Sequence, residues 1–359
     1  MKAGECRKND SSNYGLRHPG VLAALGSALL FGSGTPIAKL LLFDISPWLL
    51  AGLLYLGSGL GLALYRFVTH APTGKLLPGE WSWLLGAILS GGIIAPVLLM
   101  FGLTSLAASE ASLMLNAEGV FTVLLAWFVF HEHFDRYIVL GMIAIIAGAV
   151  VLSWPDEAHL SGAWPVFAVL GACLSWGIDN NLTRKVSMSD ATWIASMKGL
   201  AAGSVNLVLA FITGANLPSL ANLTGALVMG WLAYGVSLSL FVIGLRHLGT
   251  ARTGAYFSIA PFFGAVVSIP LLSEPVSLRL LMAGAFMALG VWLHLSEHHI
   301  HSHSHESIEH EHEHIHEADH QHSHEDSELS GKKHAHIHKH ENVTHIHVHY
   351  PDIQHRHKH

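Results

Sequence analysis

The chain has 359 residues, 51% hydrophobic and only 12% charged, with 35 glycines. Its formal charge of −6 belongs to the C-terminal end: from His298 onward there are eleven Asp/Glu and five Lys/Arg, and before it fourteen of each. A neutral, apolar body of this kind excludes a water-soluble domain and gives no support for a nucleic-acid partner.

The polar start, residues 1–19, carries no cleavable signal pattern and reads as a cytoplasmic tail, the first apolar run directing insertion. Apolar runs of about 20 residues then recur, each long enough to cross roughly 30 Å of hydrocarbon. Lipid cannot satisfy bare backbone amides, so these runs are expected to be helices. Ten spans are predicted, at 20–42, 47–67, 82–104, 110–130, 136–153, 164–183, 191–213, 223–245, 253–272 and 278–296. Short turns such as Asp44-Ile45-Ser46-Pro47 and Trp154-Pro155-Asp156 join them, too short for a soluble domain. Trp81, Trp83, Trp154, Trp164 and Trp231 fall near predicted span ends, where amphipathic rings anchor at the interface. Cys6 and Cys173 lie in the tail and in a span, with no metal or disulfide pattern.

Lysine and arginine set the orientation. With the N-terminus cytoplasmic, eleven basic residues (Lys2, Arg7, Lys8, Arg17, Arg66, Lys75, Arg136, Arg184, Lys185, Arg246, Arg252) lie inside and two, Lys39 and Arg279, outside. Both termini are therefore expected in the cytoplasm.

An internal repeat organises the spans. Gly102–Glu132 returns as Gly244–Glu274, 142 positions later (244 minus 102), with five of 31 positions identical. Leu25–Lys39 likewise matches Leu170–Lys185, aligning Gly26 with Gly171 and Gly32 with Gly177. Five spans per half is an odd number, so the halves, 20–153 and 164–296, face opposite ways. That is an inverted repeat, the arrangement of secondary transporters with a central site.

Gly32 and Pro36 in span 1, Pro47 opening span 2, the Glu118-Gly119 and Ala260-Pro261 steps, and the Glu132 and Glu274 positions together resemble the drug/metabolite transporter superfamily, as a pair of EamA-type five-helix units over residues 20–296. The resemblance implies transport of amino acids or other small metabolites, often export, across the inner membrane. It also implies a cavity lined mainly by spans 1, 3, 4, 6, 8 and 9. One departure is that many members carry an Arg early in span 2, where this chain reads Leu53-Leu54-Tyr55.

Several residues could serve the pathway. Glu118 falls roughly 12 Å into span 4 at 1.5 Å per residue. A carboxylate there is costly unless paired or facing water, which makes it a candidate proton carrier; alternatively it bonds a neighbouring helix for packing. Asp179, Asn180 and Asn181 lie in span 6, where Ser175, Asp179 and Thr183 share one face and border the expected cavity. Asp179 falls roughly 22 Å from the outer end, some 10 Å below Glu118, so the two are expected at different gates. Lys198 in span 7 either snorkels to the cytoplasmic surface, the slightly favoured reading, or neutralises Asp179 or a substrate carboxylate. Gly32 to Pro36, including Thr35, either breaks span 1 and frees backbone groups for a ligand or packs helices closely. Asn116 and the Met114 thioether complete the polar set within the spans. Glu132 and Glu274 read as caps or interface pairs.

The segment 297–359 is of another kind. From His298 it holds 22 of the 29 histidines, mostly as His-X-His. It is too polar and repetitive to fold alone and is expected to be disordered. Imidazoles at His301, His303, His305, His310, His312, His314, His316, His334, His336, His338, His340, His345, His347 and His349 suit zinc, nickel or cobalt.

The expected molecule is an all-α membrane protein, ten transmembrane helices in two inverted five-helix repeats plus a disordered His-rich cytoplasmic tail. It is expected to export small solutes by alternating access, with lipid, solute and divalent metal as partners and a homodimer left open. No cofactor is required for transport, and no nucleophile–base motif or ATP-binding loop points to an enzyme or a primary pump. The alternative is a divalent metal transporter fed by the tail.

Overall fold

The computed structural model describes residues 19–72, 74, 76–77, 79–130, 136–154, 163–186, 189–248, 253, 256–295, 300–304, 309–314, 334–339 and 344–348. The chain divides into two compact units, Met1–Ser296 and Glu297–His359.

The first unit is helical. Its elements are α1 (Pro19–Leu41), α2 (Pro47–Val68), α3 (Trp81–Leu103), α4 (Ala108–Met114), α5 (Ala117–Phe130), α6 (Arg136–Ser153), α7 (Trp164–Arg184) and α8 (Ala191–Ile212). Then come α9, built of Leu220–Gly230, Trp231–Val236 and Ser237–Leu248, α10 (Ala260–Leu272) and α11 (Leu278–Leu295). Prolines sit in the first turns of α2, α7 and α10, where no amide partner is lost. Asp190 caps α8 by accepting the Trp193 amide at 2.8 Å. By length and hydropathy, Pro19–Leu41, Pro47–Val68, Trp81–Leu103, Ala191–Ile212 and Leu220–Gly244 can each cross a bilayer, and Leu60, Leu64 and Phe67 on α2 are among many large apolar side chains left exposed. Such a surface belongs in lipid.

One alternative is decided by the structure, and two features depart from the sequence reading. α1 runs unbroken through Pro36, so the Gly32–Pro36 stretch is a packing seam. A Cβ at Gly32 would collide with the Ala260 carbonyl oxygen and stand 3.1 Å from Gly264 N, so α1 and α10 touch backbone to backbone. Span 4, expected continuous, breaks into α4 and α5 at a turn over Leu115 and Asn116, two residues before Glu118. Trp231 lies inside α9, in contact with Gly61 of α2, and not at a helix end.

α3 and α9 each contain a π-helical segment, Ile88–Ile94 and Trp231–Val236. Their starts are 143 residues apart (231 minus 88) and their ends 142 (236 minus 94). A turn over Ser258 and Ile259 precedes α10, 143 residues after the turn at Leu115 and Asn116. The spacing matches the 142-residue offset between Gly102–Glu132 and Gly244–Glu274. α2 and α8 cross closely, since a Cβ at Gly199 would lie 2.7 Å from Gly59 N.

The second unit contains β1 (Ile300–Ser304), β2 (Glu309–His314), β3 (His334–Lys339) and β4 (Thr344–Val348). β1 pairs with β4 and β2 with β3, both antiparallel. The sequence reading expects no fold here, but the His-X-His alternation has the two-residue period of a strand.

Candidate functional site

The site forms where α5, α7, α3 and α8 meet. The break at Leu115–Asn116 starts a new helix just before Glu118 and sets its carboxylate in the first turn of α5. There Oε1 accepts the Asn180 amide at 2.9 Å, and the same amide reaches Thr122 Oγ1 at 3.2 Å. Asn180 is exposed although it sits about 120° round α7 from the outward-facing Leu174. Glu118 is half-buried and Gly119 exposed. The Glu118–Asn180 contact is therefore accessible on the side of Asn180 and Gly119. Asn181 secures it from behind, donating to Thr122 O at 3.1 Å and Gly177 O at 2.8 Å.

On the adjoining residue, Asp179 is buried and paired with Lys198 of α8, whose Nζ donates to both carboxylate oxygens at 2.5 and 2.7 Å. Thr183 donates to Asp179 at 2.9 Å. A side chain at Gly91 would collide with Asp179, so the glycine leaves room for the ion pair. Lys198 thus does not snorkel; its charge goes to Asp179. The Ser175–Asp179–Thr183 stripe is likewise turned into the helix interface, with the Ser175 carbonyl accepting Ser90 Oγ at 2.6 Å. Asn180 is the residue left facing open space.

Glu118 and Asp179 also lie closer together than their expected depths imply. Asn180, adjacent to Asp179, hydrogen-bonds Glu118, so the two carboxylates belong to one neighbourhood and not to gates 10 Å apart. The rise-per-residue estimate treats both helices as straight and starting in one plane, and the α4–α5 break removes that condition.

Among the described residues no cation stands within ion-pair distance of Glu118. With Lys198 and Asp179 neutralising each other, Glu118 is, among the described residues of this neighbourhood, a carboxyl group with no ion-pair partner. A row of aromatic rings runs nearby: ring centroids are 5.7 Å apart for Tyr55 and Tyr234, 5.6 Å for Tyr234 and Phe31, 5.4 Å for Phe31 and Phe257, and 5.0 Å for Phe257 and Phe241. Tyr55 and Tyr234 lie within electrostatic reach of Glu118. A carboxylate with aromatic rings in reach can take a positively charged amino group.

The π segment in α3 explains several residues that the sequence reading misses. A π turn leaves carbonyls without their usual partners. Gly91 O accepts Tyr55 Oη at 2.7 Å and Trp176 Nε1 at 3.0 Å, and Gly92 O accepts Asn206 Nδ2 at 3.1 Å. The remaining expected residues are packing elements. Met114 and Asn116 are buried at the α4–α5 turn, Asn116 donating to Leu113 O at 2.8 Å. Thr35 and Pro36 are buried within α1.

At one end of the bundle Glu274 caps α4, accepting the Ala108 and Ser109 amides at 2.6 and 2.9 Å. Lys39 donates to Leu103 O and Leu106 O beside it. Elsewhere Arg66 bridges Asp190, Thr192 and Pro72 O. Burial alone would raise the Asp190 carboxyl, but hydrogen bonds from Thr192 and Trp193 and the Arg66 charge bring it below its ordinary 3.8. Glu132 lies outside the described residues, as do His305, His316, His340 and His349.

Comparison with known proteins agrees with this architecture. A solved crystal structure superposes with a TM-score of 0.59 at 17% identity, covering 76% of this chain and 95% of the other. An uncharacterized transporter of Methanothermobacter thermautotrophicus is 29% identical over 307 residues, 80% of this chain and 89% of the relative. The uncharacterized inner membrane transporter YedA of Escherichia coli is 23% identical over 260 residues, 69% and 81% of the two chains. A Salmonella typhimurium protein named "Probable amino-acid metabolite efflux pump" is 26% identical over 306 residues, 78% and 95%. The family model of EamA-like transporters matches residues 18–154 and 163–296, so this multi-pass membrane protein belongs to the EamA-like transporter family.

Proposed function

We propose that the chain is a secondary active exporter of small solutes, amino acids or related metabolites, working by alternating access across the inner membrane with both termini cytoplasmic. The observation that carries this reading is the Glu118–Asn180 hydrogen bond. It joins the two sequence repeats at an accessible asparagine and involves a carboxyl group that has no ion-pair partner among the described residues. A group so placed can bind a solute amine or a proton in turn, which couples the two fluxes. The name of the Salmonella relative favours the same solute class.

Ten spans in two inverted halves follow from the same reading. Two unrelated backbone irregularities, the π segments and the broken helices, recur at 142–143 residues. An odd number of spans per repeat then places the halves in opposite orientation. In the second unit, the histidines of the tail bind divalent metal such as zinc, nickel or cobalt.

Efflux from vesicles containing the purified protein, loaded with amino acids of differing side chain, tests the transport reading. Efflux is expected to rise with a pH gradient, and Glu118→Gln to abolish that dependence. Gradient-driven efflux unchanged in Glu118→Gln would remove the coupling role.

A further inference from the structure

Two side chains of opposite charge hold the corner between α3 and α4. Lys39, in the last turn of α1, donates to the Leu103 and Leu106 carbonyls where α3 ends. Glu274, two residues beyond α10, accepts the Ala108 and Ser109 amides where α4 begins. Carbonyls at a helix end and amides at a helix start lack partners within the helix, so each charge meets groups of the opposite polarity. The two grips differ in what they join. Lys39, Leu103 and Leu106 belong to one half of the sequence repeat, whereas Glu274 reaches across from the other. Glu274 is also one of the five positions identical in the two copies, where it matches Glu132.

From this corner inward α4 is sealed. Ala108, Ser109, Ala111, Ser112 and Met114 are buried, and a Cβ at Gly264 of α10 would stand 2.6 Å from Ser112 Oγ. The helix then leads through the turn at Leu115 and Asn116 to Glu118. Toward the other end of the unit the exposure is reversed. α2 leaves the Lys39 end through the turn at 42–46, and its last turn, at Arg66, meets Asp190 at the start of α8. α7 finishes shortly before Asp190, and the exposed Asn180 lies four residues, about 6 Å, from that finish. Glu118 is thus closed off toward Glu274 and accessible beside Asn180, toward Arg66.

We propose that Glu274 is a latch of the transport cycle: its carboxylate on the α4 amides keeps one end of the helical unit shut while the Glu118–Asn180 contact is accessible toward the other, and its release lets the access reverse. This rests on the reading of the chain as an alternating-access carrier. The other hydrogen bonds between the halves at this end, Asn222 to Asp44 and Arg279 to the Trp154 carbonyl, are exposed, so water competes for them. The Glu274 bonds are part-buried and carry a charge, which makes them the stronger hold. They are also reversible, because water entering an opened end can take over both the carboxylate and the amides. α4 transmits the change. It is seven residues, about 10 Å, long, so a shift of its first turn moves the turn at Leu115 and Asn116 and with it Glu118.

The test is cysteine reactivity of the purified full-length protein in detergent, in a background of Cys6→Ser and Cys173→Ala. Ser112→Cys reports the Glu274 end; among the described residues the Ser112 hydroxyl has no hydrogen-bond partner, so the exchange breaks no bond. Asn180→Cys reports the other end. With a water-soluble maleimide, position 180 is expected to react and position 112 to be protected. Glu274→Ala is expected to raise the rate at 112 by about tenfold, as loss of a hydrogen bond to a charged group allows, and to lower the rate at 180. Glu274→Gln, which keeps an acceptor oxygen, should fall between. Any other pattern overturns the latch: a rise at both positions means loosened packing, a rise at 112 alone a local cap, and no change an inert contact. Labelling needs neither a solute nor a pH gradient. Efflux that fails while the reciprocal labelling holds would therefore remove the exporter reading and leave the latch.

Discussion

Lys198 carries the clearest consequence at the scale of single residues, because its partner is buried. Asp179 and Lys198 satisfy each other where water is scarce, and removing one partner strands the other charge. Breaking a buried pair in this way costs about 3–5 kcal/mol, whereas removing both charges can be nearly neutral. Lys198→Met is therefore expected to lower the thermal midpoint in detergent sharply, and Lys198→Met with Asp179→Asn to recover most of it. A single variant as stable as the parent would show the pair to be solvated. Asp190 gives the pH dependence. Its carboxyl is held below 3.8 in the fold, so its contribution with Arg66 is complete above that value and fades as pH falls through the lowered one. The difference in melting temperature between the parent and Asp190→Asn is expected to be constant at neutral pH and to shrink in strong acid; a gap that widens there would reverse the sign. Residue identity alone makes Glu118 and Asn180 legible, since isolated polar groups in apolar runs stand out. It cannot supply their contact, which depends on a helix break that no glycine or proline marks. Tyr55, Trp176 and Asn206 stay hidden for a related reason: each is an ordinary lone residue until a π turn presents a free carbonyl to it.

Among the elements, the spans are written in hydropathy and their boundaries follow closely, with proline opening α2, α7 and α10. Interior geometry is less legible. Gly32 to Pro36 looks like a breaker, yet α1 continues through it, because a proline costs only the bond to the preceding turn when neighbouring helices hold the segment. The glycine serves α10 instead. Gly32→Ala would place a methyl group against the Ala260 carbonyl, backbone that cannot swing aside. Overpacking of this kind costs typically about 1–3 kcal/mol. The variant is expected to insert normally but to melt lower and lose most solute efflux, whereas Gly119→Ala, with open space around it, should be stable. Equal stability of the two alanine variants would mean that α1 and α10 are not in backbone contact. The same closeness between Gly59 and Gly199 brings α2 and α8 into backbone contact where they cross.

For the whole molecule, repeat and orientation come from separate observations. The sequence repeat is weak in identity, five positions in 31, because lipid-facing residues can interchange among Leu, Ile, Val and Phe without cost. Backbone irregularities are harder to lose, since the one in α3 carries several interhelix bonds, and they return at the same offset. Our inverted-repeat reading requires an even number of crossings. Reporter fusions at residue 1 and after Ser296 should therefore both report cytoplasm; an outside amino end with an inside carboxyl end would make the number odd and remove the mirrored halves. The division at Ser296 and Glu297 leads to the last expectation. The helical unit has a buried core of its own, so a chain ending at 297 should retain the parent's melting temperature and solute efflux while losing stabilisation by zinc. If instead truncation abolished efflux with the melting temperature intact, the tail would be part of the transport cycle, and metal would have to be treated as its regulator or its cargo.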